Sequence, residues 1–443
     1  MTAWIHASAR RRHGVLLLCA LLFLQFATLA YFYHRLRISG YLPSPFVDDK
    51  TDTFMDLYNT MYWAGMPGRY QVWASVYPPL AFLTLDGLRA LFVPAFPFSG
   101  PHALRAGSMA LQGAICVAYL LLPAIALAQR PWQAFKVRER VLLYLVVITS
   151  LPFLFALERG NLILMAPPLL VLLLDGRPKL RILALALLIN LKPYFALLLL
   201  GYVGKRWWNE LLVALLVTGT LYLGTSVLIS SDFLTMLLNL VHFGQSTSVF
   251  SLRELLGLPS SVAAFAEVLR SPRFLASRYA LIVPDPQALA ALLMACQWGV
   301  IVFAVLGIFR RGQEYPISTV LSVLIVVTTN LGTSVGGYSL IFYLAIVPVV
   351  MRMRFAPCYL LLLFAIFAPL DPLAALVRND IGTQLAYLSG RLTDVTWKLG
   401  VATAARPFFN LALLALLGFE INSGTSARMA TSDQIPAARL IER

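Results

Sequence analysis

Apolar runs separated by short polar stretches fill this chain almost from end to end. A helix of about 20 apolar residues crosses the roughly 30 Å hydrocarbon core of a bilayer. Runs of that character occupy residues 14–33, 106–128, 141–157, 162–174, 211–229, 288–309, 317–331, 338–351, 355–370 and 401–419. The stretch "ILALALLINLKPYFALLLLGYVGKRWW" has the apolar length of one span, yet both its flanks are basic and Lys192-Pro193 interrupts it. Proline breaks a helix, and a lysine that deep needs water or an anion, so the stretch reads as a hairpin of two short helices. The pattern predicts an all-α polytopic membrane protein of about 12 transmembrane helices, with residues 1–421 as one integral unit.

The polar stretches divide by charge. "RRRH", "RPWQAFKVRER", "DGRPKLR", "GKRWW", "FRRG" and "MRMRF" are cation clusters between apolar runs, the distribution of cytoplasmic loops under the positive-inside rule. The N-terminal run exceeds the roughly 7–15 apolar residues of a signal-peptide core, so it reads as an uncleaved first span with the N-terminus inside. Residues 34–104 then form a long first outer loop, and residues 230–287 and 371–399 form further outer segments. Within the first loop, "YPPLAFLTLDGLRALF" carries Asp86 and Arg89 and suits an interfacial helix better than a lipid-facing span. Both termini fall on the cytoplasmic side, and the Ser/Thr/Ala-rich tail 422–443 reads as disordered.

Composition agrees. The 443 residues are 59% hydrophobic and 12% charged, against about 25% charged in an ordinary soluble domain. The net charge of +15 lies in the loop clusters, with no basic stripe interleaved by aromatics, so nucleic acid is not an expected partner. Cys19, Cys116, Cys296 and Cys358 stand singly and read as small buried hydrophobes. P-loop, HExxH and CxxC patterns are absent, which removes nucleotide-driven transport and HExxH-type zinc hydrolysis.

Against this apolar background, Asp48, Asp49, Asp52 and Asp56 crowd into "VDDKTDTFMDLYNTMYWAG". Each alone is consistent with a hydrated loop. As a helix, however, Asp52 and Asp56 share one face with Asp49 a turn earlier, while Phe54, Leu57, Tyr58, Met61, Tyr62 and Trp63 make the segment amphipathic. A carboxylate held there can accept a proton from a hydroxyl. The following "VYPPL", with Tyr77, fixes local backbone through its prolines, or is a plain turn. "ERGNLILMAPP" sets Glu158, Arg159 and Asn161 at a membrane boundary, where a polar site competes with simple snorkelling of the arginine. Lys192 lies too deep to snorkel and calls for an anionic partner, for which a phosphate is suitable. Arg253 in "SVFSLRELLG" offers a second phosphate contact or a helix cap. His242 and, in a Gly-rich turn, Tyr338 complete the polar residues on the outer side.

Taken in order, the acidic outer loop, "YPPL", "ERGN", "LALALLINLKPY", "SVFSLRELL" and "GGYSLIFYL" resemble the GT-C glycosyltransferases. Within them they are most similar to glycosyltransferase family 87, the bacterial polyprenyl-phosphate-mannose-dependent mannosyltransferases. The similarity spans roughly residues 48–348. It implies a GT-C-type fold with outer-face interfacial helices in the bacterial inner membrane. It also implies transfer of a hexose, mannose first, from a polyprenyl-phosphate sugar to a lipid-linked or polysaccharide acceptor at the outer face.

By the same resemblance, "DLY" ranks Asp56 first and Asp52 second as the base. Lys192, with Arg159 and Arg253, would hold the donor phosphate. Asp49, Tyr58, Tyr77, Glu158, Asn161, His242 and Tyr338 are the expected substrate-binding residues. Family members often carry glutamine where this chain has Arg159. No metal ligand set and no soluble cofactor is required, and a divalent ion on the clustered aspartates is the alternative. Rival readings from other classes are a lipid-linked oligosaccharide flippase or transporter and a polysaccharide polymerase or ligase.

Overall fold

The computed structural model describes residues 2–43, 46, 53–93, 98–229, 233–246, 258–275, 283–331, 337–371 and 375–424. Asp48, Asp49, Asp52 and Arg253, and the tail from 425, lie outside these residues.

Helix α1 (Thr2–Ser39) enters the fold with its apolar part, Gly14–Ser39. Two short amphipathic helices follow, α2 (Met55–Ala64) and α3 (Pro79–Phe92). The second starts where "YPPL" predicts: Pro78 is its N-cap and Pro79 its first residue, a position where proline's missing N–H costs nothing. Arg89 and Asp86 pair along it at 2.7 Å. After α4 (Pro101–Ala106) comes α5 (Met109–Ala128), long and apolar.

Helices α6 (Val137–Ile148) and α7 (Leu151–Arg159) form one apolar path bent by 54°. The bend has a local cause. Ser150 caps α7 by accepting from the Phe153 amide, Pro152 stands in its first turn, and Thr149 at the break donates to Gln25 Oε1 on α1 at 2.9 Å. A 3₁₀ turn, Leu162–Met165, leads into α8 (Ala166–Leu173), and α9 (Pro178–Leu191) follows.

Helix α9 ends at Lys192, which is extended (φ −145°, ψ 118°) before Pro193, as expected of a residue preceding proline. The chain continues as a 3₁₀ segment, Pro193–Leu199, and α10 (Leu200–Lys205). Arg181, near the start of α9, has its guanidinium 5.1 Å from the Trp207 ring and 5.9 Å from the Tyr202 ring. The two basic flanks therefore meet, and the segment is a hairpin broken at Lys192-Pro193.

Among the described residues five helices are long and apolar enough to cross a membrane: Gly14–Ser39, Met109–Ala128, Trp208–Leu228, Pro286–Glu314 and Ala404–Ser423; the bent α6–α7 pair makes a sixth if counted as one span. About 12 spans were expected from the apolar runs. The other expected spans fall on four shorter apolar helices, Leu162–Leu173, Ile317–Thr329, Gly337–Val350 and Ala356–Phe367, and on the two short halves of the hairpin broken at Lys192-Pro193. At 1.5 Å per residue, Ile317–Thr329 reaches only about 20 Å. Its residues from Thr319 to Thr329 are buried, so protein surrounds it rather than lipid.

The stretch 371–399, expected as part of an all-helical unit, contains an antiparallel hairpin, Ala375–Leu385 paired with Leu392–Gly400. Its tip is tied down: Ser389 Oγ donates to the Gly40 carbonyl at 2.6 Å and Tyr387 OH to Gln112 Oε1 at 2.8 Å. At its base, Arg406 and Asp371 form a buried bidentate pair of 2.8 and 2.5 Å, and Arg406 Nε also donates to the Ile366 carbonyl.

Candidate functional site

Helix α2 buries Met55, Leu57, Tyr58, Thr60, Met61 and Ala64. With 3.6 residues per turn, Asp56 then falls on the remaining face, half-buried, while Tyr58 points the other way. Tyr58 is fully buried and bonded to Ser108, whose Oγ donates to its hydroxyl at 2.8 Å. The structure thus places Tyr58 in the core, apart from Asp56.

What Asp56 meets comes from far along the chain. Asn161 Nδ2 donates to Asp56 Oδ2 at 2.7 Å, while Asn161 Oδ1 accepts from the Ile163 amide at 2.9 Å. Lys192 and Tyr77 lie in the same electrostatic environment as Asp56. The Lys192 ammonium sits over the Tyr77 ring, 3.9 Å from its centroid, a cation–π contact that stabilises the charge without neutralising it. Tyr338 interacts electrostatically with Lys192 and Asp56, and its ring stacks on Phe155 at 6.1 Å. Burial raises the Asp56 carboxyl above its ordinary value; the Asn161 hydrogen bond and the Lys192 charge offset only part of this. Partial exposure together with that desolvation describes a carboxylate in a crevice.

Glu158 and Arg159 serve the wall of this crevice. The Glu158 carbonyl accepts from the Phe54 amide at 2.6 Å and its Oε1 accepts from Thr53 at 2.9 Å, so it pins the chain entering α2. Arg159 is 7% exposed, lies 3.4 Å from Glu158 Oε2, and has its guanidinium 5.5 Å from the Phe155 ring. Tyr338 is within its field. Arg159 therefore borders the Lys192 group while its side chain is engaged with Glu158.

His242 is exposed on the helix Phe233–Ser246 and bonded to the Leu238 carbonyl of its own helix. It is Asn239 on that helix that reaches the loop before "YPPL", donating to the Tyr70 and Ser75 carbonyls. Three participants escape a reading of the sequence. Thr60 donates to the Asp56 carbonyl at 2.7 Å and neighbours the Tyr77 hydroxyl. Arg105 donates to the Thr53 carbonyl at 2.5 Å and lies 3.9 Å over the Tyr387 ring. Tyr194 has a buried hydroxyl without a hydrogen-bond partner among the described residues, within the field of Tyr338 and Tyr77. The only signal for Tyr194 is its place two residues after Lys192.

Among the described residues no group of three or more His, Cys, Asp or Glu side chains gathers as a metal site. The described cluster offers a proton acceptor, a cation and hydroxyls in one crevice. Comparison with protein-family models, curated proteins and solved structures returned no match.

Proposed function

We propose that this protein is a membrane glycosyltransferase of GT-C type. It transfers a hexose, mannose first, from a polyprenyl-phosphate sugar to a lipid-linked or glycan acceptor at the outer face of a bacterial inner membrane. The observation that carries the reading is that Asp56 and Lys192 face one crevice within each other's field. A carboxylate held on one oxygen by Asn161 shares a crevice with an ammonium resting on Tyr77. That combination suits a reaction that removes a proton from a hydroxyl and releases a phosphate.

In the proposed step, the acceptor hydroxyl attacks the anomeric carbon as Asp56 takes its proton. The new C–O bond forms as the bond from that carbon to the phosphate oxygen breaks, and the electron pair leaves on the polyprenyl phosphate. Lys192 stabilises the charge developing there, where preorganised electrostatics lower a barrier most. Attack opposite the leaving group inverts the anomeric configuration. The order of "ERGN", "NLKPY" and "GGYSLIFYL" along the chain supports the same family.

The test is transfer by the purified full chain from a polyprenyl-phosphate hexose to lipid or glycan acceptors. Asp56→Asn should reduce the rate by about 10²–10⁴-fold, the usual worth of a general base. Unchanged transfer in Asp56→Asn, or none by the wild type with any such donor, would overturn the reading.

A further inference from the structure

Asn161 is 2% exposed, too enclosed to touch a substrate directly. Its amide orientation is settled by its partners. The Ile163 backbone N–H can only donate, so the atom facing it is the oxygen, and the atom facing Asp56 is the NH₂ donor. One carboxylate oxygen of Asp56 is thereby occupied.

The preceding glycine makes the contact possible. Gly160 ends α7 in the left-handed region at φ +65°, and the Asn161 amide reaches back to the Ala156 carbonyl at 2.9 Å, a Schellman-type end. A Cβ on Gly160 would come within 2.9 Å of Leu57 Cβ and 3.2 Å of Phe54. The bare backbone thus packs directly against α2, beside Asp56. Tyr119 holds the turn from the other side, donating to the Gly160 carbonyl at 3.2 Å.

We infer that Asn161, set in place by Gly160, is the positioning residue of this site. It clamps Asp56 through Oδ2 and leaves Oδ1 as the oxygen that meets the acceptor hydroxyl. The inference rests on the reading of Asp56 as a base. It assigns "GN" of "ERGN" to orienting the base rather than to holding substrate. The hydrogen bond also stabilises the charged carboxylate, so its loss should leave a visible trace in titration.

Two measurements on the full-length protein test this, using Asn161→Ala and Asn161→Ser. The serine variant keeps an oxygen to cap Ile163 but lacks the reach to Asp56, which guards against loss of the fold. The first measurement is the pH–rate profile of sugar transfer. Its acid limb should move up by about one to two pH units, the scale of one hydrogen bond to a charged group, with the rate recovering toward wild type at high pH. A purely structural role would depress the rate at every pH.

The second measurement is infrared titration of the carboxyl band assigned to Asp56 by its loss in Asp56→Asn, without substrate. Its midpoint should rise in both Asn161 variants. An unshifted midpoint in a folded variant overturns the inference whatever the activity. A shifted midpoint in a protein that transfers no sugar sinks the base reading and leaves the Asn161–Asp56 relation standing.

Discussion

The Lys192 ammonium stands 3.9 Å from the centroid of the Tyr77 ring, and among the described residues its electrostatic partners are Tyr338 and Asp56, with no directly paired carboxylate. A charge supported by an aromatic face keeps its donors for a ligand. Lys192→Met should lower transfer by about 10²–10³-fold, the range for losing one preorganised donor. Tyr77→Phe, which keeps the ring, should cost less than Tyr77→Leu, which removes a contact of about 0.5–2 kcal/mol. Steady-state rates with a polyprenyl-phosphate hexose decide this. Equal effects of the two Tyr77 variants would remove the ring from the argument.

On the proposed mechanism, Asp56 should make activity and stability respond to pH in opposite directions. Its carboxyl is raised by burial, so the base becomes available only as pH climbs above the ordinary carboxylate range, and transfer should rise through that limb. The folded chain binds this proton more tightly than the unfolded chain does. The stability it contributes is fully present below the unfolded value and is lost as pH rises through the folded one. Asp56→Asn should therefore unfold at a higher temperature than wild type at neutral pH and lose that advantage in acid. Thermal unfolding in detergent at several pH values checks it, and a less stable Asp56→Asn at neutral pH would contradict it.

Arg406 and Asp371 are 1% and 0% exposed at their side chains, and the pair ties the helix Val401–Ser423 to the chain leaving Ala356–Phe367 at the foot of the β-hairpin. Removing one partner strands a buried charge, which costs about 3–5 kcal/mol. Arg406→Met and Asp371→Asn should each show that loss in denaturant or thermal unfolding. The double replacement should cost less than the sum of the two. Additive losses would mean the two side chains act independently.

The helices and their breaks were legible in the local chain. "YPPL" begins α3 with its prolines, Lys192-Pro193 breaks the hairpin after α9, and the amphipathic spacing around Asp56 makes α2. These are effects of backbone stereochemistry and periodicity within a few residues. The two-stranded hairpin was missed although "YLSG" near its turn is a hairpin signal, because the apolar runs around it dominate the reading. The expected span number, about 12, exceeds the five or six helices of spanning length among the described residues for a related reason. Hydropathy measures how apolar a segment is, and a helix buried in protein is as apolar as one facing lipid; Ile317–Thr329 is the example.

By itself, then, the sequence determined where helices start, stop and bend, and which polar residues an apolar chain retains. Only the tertiary structure decided that Asn161 rather than Tyr58 is the neighbour of Asp56, that Glu158 pins the entry to α2, and that Lys192 rests on Tyr77. Asp56 and Asn161 are 105 positions apart, and no local rule of spacing reaches that far. Their meeting depends on a bare Gly160 backbone against Leu57, a packing contact that exists only once α7 and α2 are folded together.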